Sequence, residues 1–394
     1  MCAELSFEKG GRGYVPGASS RAGWISHSRP SVGRLELENL QAVFDDRYLA
    51  SGPKTQAFER ALGESLRHPY AFAVASGTCA LQLALLSLAP KDRFSSLDAL
   101  HDFFRDRTVL IPAYVCSGVL YAVEWTGARA VLVDVEPDTG CVHPARMAEA
   151  ADEKTLAAIP AYLFGHPGWG ELPKAKFAWI EDVAQCLGAE HEGVPAGSRG
   201  EWAVCSFYAT KVITTGTGGM VLTRSAEAAE RIQRLLQYDN QSDRDLHLSW
   251  AMDDLRASLG LAQWSRLEKM IQRRRRLAEI YSEGLAEEAW IEALPTEEPD
   301  RRTLIPGHIY YRYAIRLRGN VDRFIEAMRG ASIEVKRPVF SPLSRLRNED
   351  AKRFPNAERI FQSTVSLPLY PDLSDGDAQR VVEAVQKALA SLNS

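Results

Sequence analysis

The sequence predicts an α/β protein with a three-layer α/β/α large domain, a mostly parallel sheet and a smaller α+β C-terminal domain. Helical patterns alternate with short β-rich runs from about residue 34 to about residue 330. Most of these β-rich runs are apolar throughout, which is typical of parallel strands buried on both faces. After about residue 290 the pattern changes to a strand-like run followed by amphipathic helices, which indicates a second, smaller domain.

The strand predictions are short runs rich in aliphatic, β-branched and aromatic residues. In chain order they are YAFAVAS, VLIPAYV, RAVLVDVE, LAAIPAYLF, FAWIEDV, WAVCSFYA, GGMVLT and YYRYAIRLR. The helix predictions rest on apolar residues that recur at helical spacing. They cover 34–44, 55–66, 77–88, 258–288, 320–330 and 375–392.

The predicted domain organisation follows from these elements. We expect a flexible N-terminal tail over 1–24, the large α/β domain over 25–275 and the small α+β domain over 276–394. The polar, helical segment 91–107 lies between a predicted helix and a predicted strand, and we interpret it as an insertion. It could border a ligand cleft or only decorate the surface.

The composition excludes several classes of function. The 394 residues carry a formal net charge of -4, so nothing favours a nucleic-acid partner or an anionic membrane surface. The RRRR run at 273–276 is interpreted as a solvated helix face. The N-terminus lacks the pattern of a secretory signal, and no two of the six cysteines have metal-ligand spacing. We therefore expect a cytoplasmic protein with reduced thiols and no bound metal.

Polar residues directly follow several of the predicted strands. Asp182 and Gln185 come after one strand, and Ser206 and Lys211 follow another. The stretch Ser76 to Thr78, with Gly77 between, joins a strand to a helix and offers free N–H groups to an anion. Because ligands of open α/β sheets lie at the carboxyl ends of the strands, these residues are candidate site residues.

A phosphate cradle, a carboxylate and a lysine in one α/β domain suit pyridoxal phosphate. That cofactor needs an anion site, an amine for a Schiff base and an acid beside its ring nitrogen. Lys211 is the one side chain that is charged at neutral pH in CSFYATKVITTGTGGMVLT, which fits a sheltered nucleophilic amine. Each element also has a plain alternative: a surface lysine, an ordinary helix start and an aspartate N-cap. The spacing alone leaves both interpretations open.

Several blocks of the sequence resemble the DegT/DnrJ/EryC1/StrS family of sugar aminotransferases, which have the fold of type I pyridoxal-phosphate enzymes. The resemblance covers roughly residues 25 to 390. Its most specific parts are IEDVAQ, the following SFYATK and the run TGTGG. Other matching blocks are YLASGPKTQAFERAL, VASGTCALQLALLSL and STVSLPLYPDLSDGDAQRVVEAV.

The resemblance implies a role for each candidate residue. Lys211 would form the Schiff base with pyridoxal 5′-phosphate, Asp182 would pair with the ring nitrogen and Gln185 would bind near the ring's 3-hydroxyl group. Ala184 would pack on one face of the ring. The phosphate would be held by Gly77, Thr78 and Ser206. The family also implies a homodimer with active sites at the subunit interface.

Three positions depart from the family pattern. Cys116 occupies the place of an aromatic residue that stacks on the cofactor ring, and Tyr114, two residues earlier, could compensate. Thr217 replaces the acid of the family's TGEGG run. In the segment that lends an asparagine to the partner's phosphate site, Ser249 replaces that asparagine and Ala251 replaces an arginine. These changes concern ring stacking, the contact across the subunits and the choice of acceptor.

The resemblance implies a transaminase that moves an amino group, usually from glutamate, to a keto-sugar carried on a nucleotide. The alternatives are a keto-cyclitol aminotransferase and a non-catalytic, regulatory homologue that binds pyridoxal phosphate. A third alternative, a sugar dehydratase, is disfavoured because that branch has a histidine where Lys211 stands. Arg337, His308 and Tyr310 lie in segments that approach the active site in relatives, although an ordinary surface or interdomain role is favoured for each.

Overall fold

A seven-stranded sheet forms the centre of the larger part of the molecule, in a computed structural model that describes residues 23–239, 245–293, 295–297 and 300–392. Its strand order is β1-β9-β8-β5-β4-β2-β3. The strands are β1 Tyr70–Val74, β2 Thr108–Pro112, β3 Arg129–Val133, β4 Thr155–Ala158, β5 Ala178–Asp182, β8 Trp202–Ser206 and β9 Gly219–Thr223. Only β9 runs antiparallel to its neighbours, so the prediction of a mostly parallel sheet is confirmed.

Helices cover both faces of this sheet. On one face the core includes apolar residues of α3 and α5, and on the other it includes residues of α2, α8 and the start of α9. The helices before the C-terminal part are α1 Arg34–Asp46, α2 Pro53–Ser65, α3 Gly77–Leu86, α4 Leu97–Phe104, α5 Ser117–Trp125, α6 Pro144–Glu149, α7 Ala226–Leu236, α8 Asp254–Trp264 and α9 Leu267–Leu285. A short hairpin, β6 Glu190–His191 with β7 Val194–Pro195, follows β5. The three-layer prediction is therefore confirmed.

The C-terminal part has its own apolar core around an antiparallel sheet. The sheet consists of β10 Ile291–Ala293, β11 Tyr313–Leu317 and β12 Thr364–Leu367. Its helices are α10 Val321–Gly330, α11 Leu343–Leu346, α12 Pro355–Ser363 and α13 Asp375–Leu392. The smaller α+β part is thus confirmed. Ile25 also packs in this core and bridges Ile333.

The predicted long helix over 258–288 is wrong in one respect, because the chain forms two helices there. α8 ends at Trp264 and α9 begins at Leu267. At the break, the Ser265 hydroxyl donates to the Ala262 carbonyl (2.8 Å), a bond that competes with continued helix. Arg266 donates to the Ser31 carbonyl at 2.9 Å, which ties the break to the chain before α1.

The interpretation of 273–276 as a solvated helix face is also wrong. Arg274 is buried and donates to the carbonyls of Tyr311 (3.3 Å) and Leu369 (3.2 Å). Arg275 donates to the His308 carbonyl at 2.6 Å. α9 lies between the two cores and meets α13, so three of these arginines bond to backbone of the C-terminal part. Only Arg276 keeps an exposed side chain.

The domain boundaries remain predictions. α9 runs without interruption across the boundary at 275/276, and the tail over 1–24 lies outside the described residues except for its last two. Segment 91–107 forms a 3₁₀ turn at Lys91–Ser95 and then α4, with Leu100 and Phe104 in the core. α4 precedes β2 and so lies away from the carboxyl ends of the strands.

Within the described residues, no helix is both long and apolar enough to span a bilayer. In the same part of the chain, no three His, Cys, Asp or Glu side chains come together as a metal site would require. The five cysteines there are all free thiols, and Cys2 lies outside it.

Asp254 joins α8 to the start of α2, and its substitution should be costly. The buried carboxylate accepts N–H groups of Gly52 (2.8 Å), Lys54 (3.1 Å) and Thr55 (2.9 Å), and the Thr55 hydroxyl at 2.7 Å. Because Asp254→Ala leaves these donors unpaired, we expect it to lower the free energy of unfolding by about 3 kcal/mol.

Asp253→Ala provides the matched control, since Asp253 caps only its own helix through Arg256. That variant should lose about 1 kcal/mol. Urea unfolding of both variants measures the difference. Equal losses would show that the bonds between α8 and α2 contribute nothing beyond an ordinary cap.

Candidate active site

The carboxyl end of β5 carries two neighbouring acids that point to opposite faces of the sheet. Glu181 is fully buried and accepts the N–H groups of Arg199 and Gly200, each at 2.7 Å. It also accepts the Tyr162 hydroxyl at 3.0 Å. These bonds shape the turn before β8, so Glu181 is structural. Asp182, one residue later, faces a cavity.

The cavity has a volume of about 290 Å³ and lies at the carboxyl ends of the central strands. All eight predicted site residues line it: Gly77, Thr78, Cys116, Asp182, Ala184, Gln185, Ser206 and Lys211. Thr217 lines it too. The structure therefore brings together residues that are up to 134 positions apart in sequence, from 77 to 211.

Asp182 is held in an environment that disfavours its charge. Burial raises the pKa of its carboxyl above the ordinary value, and the Ala184 N–H and the Lys211 ammonium offset this only in part. One carboxylate oxygen accepts the Ala184 N–H at 2.9 Å. The other accepts no hydrogen bond from the residues that the structure describes. Such a carboxylate would gain most from a cationic N–H donor in the cavity.

The anion cradle is built from three tightly packed segments. Ser76 caps α3 by accepting the Cys79 N–H at 3.1 Å, which leaves the first N–H groups of the helix free. A Cβ atom on Gly77 would lie 2.8 Å from the Ser206 Cβ, and one on Gly219 would lie 2.4 Å from the Ser76 carbonyl carbon. Only glycine therefore permits this close approach of α3, β8 and β9.

Lys211 lies in the turn after β8. Its N–H donates to the Tyr208 carbonyl at 2.8 Å, and Phe207 donates to the Gly218 carbonyl at 2.8 Å, which closes the loop around it. The ammonium lies 5.6 Å from the centre of the Tyr311 ring. Tyr208, whose ring is exposed, also lines the cavity and was missed by the sequence analysis, as was Tyr311.

Gln185 uses one end of its amide to hold the loop after β4. Its carbonyl oxygen accepts the Phe164 N–H at 3.0 Å, and its amide nitrogen has no hydrogen bond within the described part of the chain. The NH₂ group is thus free to donate to a ligand.

The expectation that Tyr114 replaces the missing aromatic ring is wrong. β2 ends at Pro112, so the alternation of strand faces does not extend to Tyr114. Its side chain is fully buried and is absent from the cavity lining. Cys116, at the start of α5, presents its thiol to the cavity instead.

The other segments named from the sequence have structural roles. Arg337 pairs with Asp322 at 2.6 Å on the C-terminal part. His308 accepts the Tyr310 N–H at 3.0 Å, and the Tyr310 hydroxyl donates to the Pro295 carbonyl at 2.9 Å. Ser249 and Ala251 are exposed beside the outer edge of β1, where Ala251 bridges Val74.

A second cavity of about 450 Å³ lies between the larger and C-terminal parts. Its lining includes His166, His308 and Arg316 but no lysine. Arg316 is engaged there by Glu292 and Asp138. This cavity therefore lacks the nucleophile that the smaller one contains.

The smaller cavity fits pyridoxal phosphate on its own features. It offers a free carboxylate oxygen for a protonated ring nitrogen, free helix N–H groups beside Ser206 for a phosphate, and an amine for the aldehyde. Gly77, Thr78 and Ser206 would hold the phosphate, Asp182 the ring nitrogen and Lys211 the aldehyde carbon.

Several known proteins are similar to this chain in sequence and fold. The uncharacterized protein MJ1066 of Methanocaldococcus jannaschii is 29% identical over 94% of this chain and 99% of its own length. The aminotransferase TlmJ from Streptoalloteichus hindustanus superposes with a TM-score of 0.82 and 26% identity, over 94% of this chain and all of TlmJ. Spr1654 of Streptococcus pneumoniae, a candidate sugar aminotransferase in its PLP form, gives a TM-score of 0.78 and 23% identity over 94% and 99% of the two chains.

The sequence profile of one family matches residues 30–386, which is nearly the whole chain. The chain belongs to the DegT/DnrJ/EryC1/StrS aminotransferase family, and it is a transaminase.

Proposed function

We propose that the chain is a pyridoxal-phosphate-dependent aminotransferase that moves an amino group from glutamate to a nucleotide-linked keto-sugar by a ping-pong mechanism. The observation that carries the proposal is the convergence of Lys211, Asp182 and the anion cradle on one cavity. The sugar acceptor is supported by the likeness to Spr1654. Glutamate as the amino donor and a nucleotide-linked acceptor are proposed because members of the family usually use them.

Lys211 and Asp182 carry the chemistry of the chain itself. Pyridoxal phosphate, when bound, supplies an aldehyde that exchanges amino groups and a ring that accepts electrons. Lys211 would hold this aldehyde covalently, and when its amine is free, its Nζ would take the proton from the donor's Cα and return it. Asp182 would keep the ring nitrogen protonated, because that N–H would stabilise the buried carboxylate in return.

The remaining residues bind and orient. The N–H groups at the start of α3 and the Ser206 hydroxyl would compensate the phosphate charge. Gln185 would donate its free NH₂ group to the ring's oxygen substituent, and Ala184 would pack against the ring. Cys116 offers a smaller contact than the aromatic side chain that relatives carry there.

We propose further that the protein is a cytoplasmic homodimer with its active sites at the subunit interface. Tyr121 and Trp125 are exposed on α5, and Trp125 contacts Trp250 with ring centres 5.4 Å apart. Trp250 adjoins Ser249, the position from which relatives reach the partner's phosphate site. Exposed aromatic residues of this kind support a contact with a second copy. The free thiols support the location.

Lys211→Ala should abolish covalent attachment of pyridoxal phosphate, because no other amine lines the cavity within the described residues. Borohydride reduction followed by peptide mass spectrometry should find the cofactor on Lys211 in the wild-type protein and on no peptide of the variant. Lys269→Ala, which changes an exposed lysine of α9, serves as the control and should behave as wild type. Attachment at another lysine would remove Lys211 from the mechanism.

Replacing each of the two acids at the end of β5 by its amide should change the melting temperature in opposite directions. In the cofactor-free protein the raised pKa of Asp182 means that folding favours its protonated form. Stability is therefore lost as pH rises above the unfolded pKa of about 3.9. Asp182→Asn, neutral at every pH, should unfold at a higher temperature than wild type at pH 7, and the gain should vanish in acid.

Glu181→Gln should instead lower the melting temperature at pH 7, since an NH₂ group would face the Arg199 or Gly200 N–H. With cofactor bound, Asp182→Asn should slow the glutamate half-reaction by at least about 100-fold. A destabilised Asp182→Asn protein with full activity would contradict the assigned role.

The acceptor can be identified from the absorbance of the cofactor. A true acceptor takes the amino group from the cofactor, which then returns to the absorbance of its lysine-bound form. Glutamate should convert the cofactor to its amino form, and keto-sugar nucleotides should reverse the change. Parallel samples receive keto-cyclitols and free keto-sugars. A response to keto-cyclitols alone would contradict the proposed nucleotide-sugar acceptor. No response to glutamate would contradict the proposed amino donor.

A further inference from the structure

The ammonium of Lys211 has an unusual set of neighbours. Its side chain is half-buried, yet within the described residues it makes neither a hydrogen bond nor an ion pair. Its one direct contact with a charged or aromatic group there is the Tyr311 ring, whose centre is 5.6 Å away. Asp182 makes no hydrogen bond to the Lys211 ammonium and interacts with it only by longer-range electrostatic attraction. A partly desolvated ammonium gains most from an aromatic face when no hydrogen-bond acceptor is available.

Tyr311 is buried and faces three cations. Arg312 lies 4.6 Å and Arg274 5.9 Å from the ring centre, in addition to Lys211. The two arginines have other partners: Arg274 donates to two carbonyl oxygens, and Arg312 contacts His27 at 3.2 Å. Each arginine therefore has a partner besides the ring, whereas the Lys211 ammonium has no other such partner among the described residues.

The ring itself is firmly oriented. Its hydroxyl accepts from Arg312 at 3.1 Å. The backbone of this segment is tied to the loop after β4, because Arg312 donates its N–H to the Phe164 carbonyl at 3.1 Å. Although burial raises the pKa of Tyr311, the charges of Arg312, Lys211 and Arg274 outweigh it and lower that pKa below its usual value.

We propose that Tyr311 is a positioning residue that holds the Lys211 ammonium at the cavity whenever the lysine is not covalently bound. This inference rests on the proposed function of Lys211. The ring attracts the charged form of the amine, so its effect is greatest after Lys211 has taken the proton from the donor. It also restricts a flexible four-carbon side chain to one region, from which the proton can be returned.

The test compares Tyr311→Phe, which keeps the ring face, with Tyr311→Met, which fills the space without a ring. In cofactor-free protein, lysines are ¹³C-methylated reductively and the Lys211 signal is assigned by its loss in Lys211→Ala. Ring currents should shift this signal upfield in wild type and in Tyr311→Phe, and the shift should disappear in Tyr311→Met. The wild-type spectrum alone overturns the proposal if the Lys211 signal is not shifted, whether or not the methionine variant folds.

The cofactor-loaded proteins give a second readout. The glutamate half-reaction should be about tenfold slower in Tyr311→Met and within about twofold of wild type in Tyr311→Phe. Affinity for pyridoxine phosphate, which lacks the aldehyde, should be unchanged in both if the fold of the site is intact. Equal rates in all three proteins would refute the positioning role. Absence of cofactor on Lys211 in wild type would instead refute the proposed function.

Discussion

The burial of two adjacent carboxylates at the end of β5 is the constraint on which the site depends. Strand geometry sends Glu181 and Asp182 to opposite faces. Glu181 finds full hydrogen bonding in the turn at 197–200, so its burial stabilises the fold. Asp182 is left with one N–H and a distant lysine, so its burial is costly until a cationic donor arrives. Glu181 thus stabilises the sheet, and Asp182 gives the cavity a carboxylate that favours a cationic ligand.

A series of hydrogen bonds connects the end of β5 to the C-terminal part. Gln185 holds Phe164, and the Phe164 carbonyl accepts the Arg312 N–H. Arg312 in turn orients Tyr311 below Lys211. This chain of contacts begins at Gln185 and ends at Lys211, which both line the cavity. Through Tyr311 and Arg312, the C-terminal part therefore lies next to the cavity.

Much of the fold and site could be predicted from the sequence because the relevant signals are local. Apolar runs ending in Asp182 or Ser206 mark strand ends, and Ser76 followed by glycine marks a helix start. The break at Ser265 could not be predicted, since it depends on Arg266 reaching the chain before α1. The burial of Arg274 likewise depends on carbonyls almost one hundred positions away, at Leu369. Tyr311 was missed because nothing local distinguishes it from Tyr310 and Tyr313.

Within the described residues, three polar groups of the cavity lack some of the partners that buried polar groups usually have. Asp182 has a raised pKa and a free oxygen, Gln185 has a free NH₂ group and Lys211 has only an aromatic face. Each of these groups is less well satisfied than a typical buried polar group. A ligand that supplies a cationic ring nitrogen, a ring oxygen and an aldehyde satisfies all three at once. Binding such a ligand would raise stability by mass action, so the groups that are costly to bury without it would also make binding selective.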